Sequence, residues 1–369
     1  MIRVPAWLPR EDRFFAASVA TCIAFELGGA RIFAGLANPL WLGCVFTWLF
    51  CVVLGSSLAV VRHADQLAER LGEPYGTLIL TLAINFIEVM SISAVMLHGD
   101  NNPTLTRDTL FAVVMIILNG MVGLSLLVGG WRHLEQHYNL QGANTYLGVI
   151  IPLVVLSLLL PNYATTEQNP VLSTGLEIFL ILIGLGLYLT FLAIQTGRHR
   201  DYFTETDAPQ GRPSAAGASR GTMVHAIWLV AYLIPVVFLA KQFAHPVDYL
   251  IETLRAPDAV GGIIMAALVA TPEAIGAVRA ALANHLQRSV NIFLGSILST
   301  IGLTIPAMLL ISHLTGRPII LRTEHGDLLM LVLTLAVSVL TFASGRTNVI
   351  QGAVHLILFA AYLMLVPTG

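Results

Sequence analysis

Apolar residues run through this chain in long blocks, each broken by a short polar stretch. A helix needs about 20 mostly apolar residues to cross a bilayer. On that rule the pattern predicts eleven spanning helices, at 14–34, 38–62, 74–97, 107–130, 143–161, 171–194, 223–243, 257–283, 288–313, 326–344 and 349–367. The first is the weakest, because Glu26, Gly28, Gly29 and Arg31 interrupt it. The opening MIRVPAWLPREDRFF has no small-residue cleavage site behind it, so this helix reads as a retained span and not as a signal peptide.

One long polar stretch lies between spans, GRHRDYFTETDAPQGRPSAAGASRGT at 197–222. Its Gly, Pro, Ala and Ser content predicts a flexible linker. The chain then divides into 1–37 with the first helix, a five-helix repeat at 38–196, a cytoplasmic linker at 197–222 and a second five-helix repeat at 223–369. Two odd-numbered halves joined in series must run in opposite orientations, which is the arithmetic of an inverted-repeat transporter. Internal similarity agrees: Gly76 precedes Glu88 by twelve residues and Gly261 precedes Glu273 by twelve. On that alignment Ile79 matches Ile264 and Leu97 matches Leu282, and the next span opens with Arg107 in one half and Arg288 in the other.

Composition agrees with the pattern. The chain is 56% hydrophobic and 11% charged, with mean hydropathy +0.79, against about 25% charged residues in soluble domains. The expected fold is therefore an all-α integral membrane protein of about eleven transmembrane helices, one leading helix plus two inverted five-helix repeats. Of the basic residues, thirteen fall on the face holding the N-terminus and the linker and six on the other. The positive-inside rule then puts the N-terminus in the cytoplasm and the C-terminus outside. A net charge of −2 implies no nucleic-acid partner. Cys22, Cys44 and Cys51 fall in apolar runs without metal-ligand spacing and read as packing residues.

Four acidic residues stand out within spans: Glu26, Glu88, Glu177 and Glu273. An ionised carboxylate at a helix centre costs on the order of 2.5–3.5 kcal/mol on insertion scales, so it usually faces a cavity, a partner or a proton path. Lys241, Arg107 and Arg288 all lie near span ends, so no basic residue is placed to neutralise Glu88 or Glu273. Those two must hold protons, a cation, or each in turn; the plainer alternative is a permanently protonated, hydrogen-bonded glutamate. Asn85, Ser91 and Ser93 accompany Glu88, and Thr271 and Pro272 adjoin Glu273. Pro272 has no N–H, which frees the Leu268 carbonyl four residues back. Carbonyl, hydroxyl and carboxylate oxygens form a hard donor set suited to Ca²⁺ or Na⁺. The following helices add Asn119 in one half, and Asn291, Gly295, Ser296, Ser299 and Thr300 in the other. Glu26 and Glu177 lack such company and read as packing near the interface.

His63, His98, His133, His137, His225 and His285 sit near predicted span ends, where the ring is expected to reach water. His133 and His137 have i, i+4 spacing, but LEQ between them is not H-E-x-x-H. There is also no G-x-S-x-G and no P-loop pattern, so an enzyme is a remote reading.

Several stretches together resemble the bacterial ChaA-type proton antiporters of the calcium/cation antiporter superfamily: VVRHADQLAERLGEPYGTLILTL (60–82), Glu88, PTLTRDTLF (103–111), ATPEAIGAVRAAL and QRSVNIFLGSILSTIGLTIP (270–306), and GRTNVIQGAVHLILFAAYLM (345–364). The resemblance implies an inner-membrane protein with an ion site between two inverted halves near the membrane midplane. Calcium/proton exchangers carry a glutamate in a Gly-Asn-Ala-x-Glu-like motif in each half. Here Asn85 and Glu88 keep the Asn-x-x-Glu spacing, with Ile84 at the glycine position; in the second half Ala270 stands at the asparagine position. Gly295-Ser296 matches a glycine-serine pair seen in relatives, while Gln287 falls where an acid would be. The linker lacks the acidic character of the ChaA-type stretch.

The expected activity is export of Ca²⁺, or of Na⁺ or K⁺, in exchange for protons by alternating access, with Glu88 and Glu273 binding cation or protons competitively. No cofactor is implied; the partners are metal cations, protons and the lipid bilayer, with any oligomeric partner open. The rival readings are a passive cation channel, which needs no protonation step, and a Na⁺/K⁺-selective proton antiporter with little Ca²⁺ activity.

Overall fold

The computed structural model describes residues 13–72, 75–97, 103–166, 168–204 and 221–366. The first twelve residues, His98 and linker positions 205–220, with Arg212 and Arg220 of the charge count, lie outside the described residues.

Among the described residues, nine helices are long and apolar enough to cross a bilayer, and two shorter apolar helices follow. In chain order they are α1 (Arg13–Ala34), α2 (Pro39–Leu71), α3 (Tyr75–Met96), α4 (Leu105–His133), α5 (Leu140–Ala164), α6 (Thr174–Arg198), α7 (Thr222–Thr253), α8 (Asp258–Leu282), α9 (Leu286–Thr315), α10 (His325–Thr341) and α11 (Val349–Leu365). Each matches one predicted span. Within lipid a backbone must satisfy its own polar groups, so an apolar run of this length has little choice but helix.

The ends differ where hydropathy and helicity part company. α2 runs to Leu71, past the expected 62, because HADQLAERL is polar yet made mostly of good helix formers. It stops at Gly72, whose φ of +66° suits glycine and whose N–H bonds the Ala68 carbonyl. α7 runs to Thr253, past the expected 243, passing Pro246 by way of a π turn at Tyr249–Thr253. Side-chain caps start other helices: Asn38 for α2, Asn139 for α5, Ser173 for α6, and for α11 an Asn348–Gln351 capping box.

The chain packs as two compact units. The first contains α1, α2, α3 and α7. Its core includes Val60 and Ala64 of α2, Ala83 and Ile87 of α3, and Tyr232 and Val236 of α7. Phe15 of α1 sets its ring edge-on to Trp228 and Tyr232, at centroid distances of 5.2 and 5.1 Å. The Ser18 and Ser56 hydroxyls join α1 to α2 at 2.9 Å.

The second unit contains α4–α6 and α8–α11, with two short antiparallel strands, β1 (Gln136–His137) and β2 (Arg346–Thr347), pairing Gln136 with Thr347. Glycines let its helices approach closely. A Cβ on Gly352 of α11 would lie 2.4 Å from the Leu127 nitrogen of α4, and one on Gly302 of α9 would lie 2.9 Å from Tyr188 of α6. The start of the linker is ordered rather than flexible: Phe203 is buried against Tyr146 and Phe191, and Asn291 donates to its carbonyl at 2.6 Å. Each unit draws helices from both sequence halves, since α7 packs with α2 and α3 while α8–α11 pack with α4–α6.

Candidate functional site

In the first unit, Glu88 is buried on α3, as are Asn85, Ser91 and Ser93. Spacings of three residues bring Asn85, Glu88 and Ser91 close to one face of the helix, while Leu82 and Phe86 are exposed on another. The Asn85 amide donates to the Thr81 carbonyl at 2.8 Å. α2 contributes further buried hydroxyls, Ser56 and Ser57.

In the second unit, Glu273 is half-buried on α8 and accepts a hydrogen bond from the Ser296 hydroxyl of α9. Of the glycine-serine pair, Ser296 therefore meets the carboxylate, while Gly295 faces the Tyr146 hydroxyl. Ser299 donates to the Ser296 carbonyl at 3.0 Å, one turn along. α8 continues through Pro272, with Leu268 buried below it. The Thr271 hydroxyl donates back to the Ala267 carbonyl. Thr300 begins a π turn, Thr300–Thr304.

Asn119 is buried in a π turn as well, Ile116–Met121 of α4. Its amide nitrogen donates to the Thr334 hydroxyl at 2.8 Å and to the Met115 sulfur at 3.4 Å. Its oxygen lies 3.3 Å from Nδ1 of His355. The side chain is thus bonded to α10 and α11.

Gln287, at the position of an acid in relatives, braces the fold. Its oxygen accepts from the Asn139 N–H at 2.6 Å and its nitrogen donates to Asn291 at 3.0 Å. Arg107 pairs with the adjacent Asp108 at 2.7 Å and donates to the Arg322 carbonyl. Glu177 is half-buried in the first turn of α6, where the helix dipole favours a carboxylate, and Glu26 is exposed on α1. The cysteines are free.

Two histidines expected at water are instead buried. Nδ1 of His63 on α2 lies 3.1 Å from Nδ1 of His225 on α7, and both rings are at least nine-tenths covered. Packing of α7 on α2 encloses them. His133 is half-covered, with Nε2 2.9 Å from the Leu282 carbonyl, while His137 is exposed.

Two buried groups escaped the reading of the sequence. Asp108 is buried although it stands near a span end. His355 is fully buried within α11; a histidine in the middle of an apolar run was the signal available. Among the described residues, no group of three or more His, Cys, Asp or Glu side chains encloses a metal position.

Residues 41–197 and 224–367 match the family described as sodium/calcium exchanger protein. The chain belongs to that family. It is 42% identical over 320 residues to the sodium-potassium/proton antiporter ChaA of Escherichia coli K12, covering 85% of this chain and 86% of that one. It is 22% identical over 338 residues to the Ca²⁺/H⁺ antiporter ChaA of Bacillus subtilis, covering 88% and 92%. The solved structure of native YfkE shares the fold of this exchanger with a TM-score of 0.73 at 18% identity, over 96% of this chain and all of that one.

Proposed function

We propose that this protein is a secondary cation/proton antiporter that exports Ca²⁺, with Na⁺ or K⁺ as further substrates, in exchange for protons. Glu88 and Glu273 bind the cation or protons in turn. Asn85 and Ser91 support Glu88; Ser296, Thr300 and the Leu268 carbonyl support Glu273, with Thr271, Pro272 and Gly295 shaping the helices around it. Asn119 acts through the backbone turn it occupies. Two carboxylates neutralise one Ca²⁺ or two protons, so loaded and protonated forms carry similar charge and both can reorient. The unprotonated empty form carries two charges that the bilayer resists. The repeats are 38–196 and 223–369, in a bacterial inner membrane, with the N-terminus and linker in the cytoplasm.

The observation that carries this reading is the Ser296–Glu273 hydrogen bond, on two helices of a chain that belongs to an exchanger family. A hydroxyl directed at a half-buried carboxylate fixes that carboxylate's orientation between the two helices. Identity to a sodium-potassium/proton antiporter favours a second reading of substrate, Na⁺ and K⁺ with little Ca²⁺ transport.

The test uses everted membrane vesicles holding an acid-inside gradient. Ca²⁺, Na⁺ or K⁺ is added separately and gradient collapse is followed with a pH-sensitive dye. Wild type should respond, and folded Glu88→Gln and Glu273→Gln should not. Collapse by both variants as fast as wild type would remove the two glutamates from the mechanism. Cation equilibration without proton movement would indicate a channel.

A further inference from the structure

The described residues contain five π turns, and four have an evident local cause. Val155–Leu159 follows Pro152, Tyr249–Thr253 follows Pro246, Thr300–Thr304 precedes Pro306, and Ile194–Arg198 ends its helix. The fifth, Ile116–Met121, lies in the middle of α4 with no proline near it. A π turn replaces i→i−4 bonds with longer ones and leaves backbone oxygen poorly matched, so it needs outside support.

That support comes from α10 and α11. His355 is fully buried, with Nδ1 3.3 Å from the Asn119 oxygen and Nε2 2.9 Å from the Thr341 hydroxyl. Because the Asn119 nitrogen donates to Thr334, its oxygen faces the imidazole as acceptor. Nδ1 then carries the proton and Nε2 accepts from Thr341. The ring is clamped at both ends by residues of two other helices. Glycines hold α11 against the same stretch of α4: a Cβ on Gly123 would lie 2.9 Å from the Leu356 nitrogen.

The turn occupies a meaningful place. Asn119 is twelve residues after Arg107 (119 − 107) and Thr300 is twelve after Arg288 (300 − 288), so the two halves carry π turns that overlap on this alignment. One adjoins Pro306; the other contacts His355. α8, which carries Glu273, packs on the Ile116–Met121 turn.

We infer that His355 is a positioning residue for cation exchange: it tethers the π turn of α4 so that the turn supports α8 and Glu273 in one geometry. It touches no transported ion. The inference rests on the exchanger reading for its flux readout alone, and local backbone exchange tests it independently.

The experiment compares wild type, His355→Leu and His355→Gln as purified full-length protein and in proteoliposomes. Amide hydrogen exchange over 116–126 is read beside the cation KM and maximal rate, with Na⁺ and Ca²⁺ as probes. In His355→Leu, local exchange should quicken about tenfold, the effect of losing roughly one hydrogen bond, and KM should rise about fivefold or more. His355→Gln keeps a donor and an acceptor and should restore both toward wild type. If His355→Leu does not fold, Thr334→Val removes the other Asn119 partner and should move both readouts in the same direction. Unchanged local exchange in the folded variants overturns the tether, as does uniform destabilisation with an unchanged KM. A wild type that moves no cation would defeat the exchanger reading, and the exchange data would still decide the tether.

Discussion

The Ser296 hydroxyl donates to the Glu273 carboxylate, joining α9 to α8. A hydrogen bond to a charged group contributes about 1.5–3 kcal/mol, and about 1.4 kcal/mol is a factor of ten in affinity. Ser296→Ala should therefore raise the cation KM about tenfold or more, with Ser296→Thr falling between. Flux in proteoliposomes measures this; an unchanged KM in Ser296→Ala would make the bond incidental.

His63 and His225 face each other through their Nδ1 atoms within the first unit. One proton between the two nitrogens satisfies both, so replacing either ring alone leaves the other without its histidine partner. Each single Leu variant should lose about 1–3 kcal/mol of stability, and the double variant should lose less than the sum. Thermal unfolding of the four proteins in detergent gives the coupling. Strict additivity would mean that the contact contributes nothing.

Gly352 marks a close approach of α11 to α4, with no room for a Cβ beside the Leu127 nitrogen. Gly352→Ala must push backbone away and should cost about 1–3 kcal/mol, the usual penalty of overpacking. Gly43→Ala, where nothing lies within 4 Å, is the control and should be neutral or slightly stabilising. Equal melting temperatures for the two variants would contradict the packing argument.

Tyr138, in the turn beside β1, ties two segments together: its hydroxyl donates to the Thr341 carbonyl at 3.3 Å and accepts from the Gly345 N–H at 3.2 Å. Burial pushes its hydroxyl up from 10 to about 12. A raised value means that the folded state favours the neutral phenol. The stabilisation is present below pH 10 and is lost as pH rises from 10 to about 12. Tyr138→Phe should be less stable than wild type at neutral pH and should lose less further stability over that alkaline window. Parallel losses in both proteins would count against this residue as the source.

Much of the architecture was legible before any tertiary contact was known. Every predicted span corresponds to a helix, because a run such as LILTLAINFIEVMSISAVM can satisfy its backbone in lipid only by coiling. Glu88 and Glu273 stood out for a related reason: a carboxylate in such a run needs a function or a partner. The ends were less legible. Hydropathy locates the edge of the bilayer, whereas α2 continues beyond it as a polar helix to Gly72.

What the sequence by itself determined, then, is the set of helices and the residues too polar to sit in them without cause. Both follow from local chemistry, each residue set against the solvent around it. Tertiary structure alone decided which helix lies beside which. It placed α7 against α2 and so enclosed His63 and His225, turned Asn119 toward His355, and gave Glu273 the hydroxyl of Ser296. Those partners lie 162, 236 and 23 residues apart along the chain. Periodicity speaks only to neighbours on one helix, and a side chain at that remove leaves no mark on its partner's local sequence.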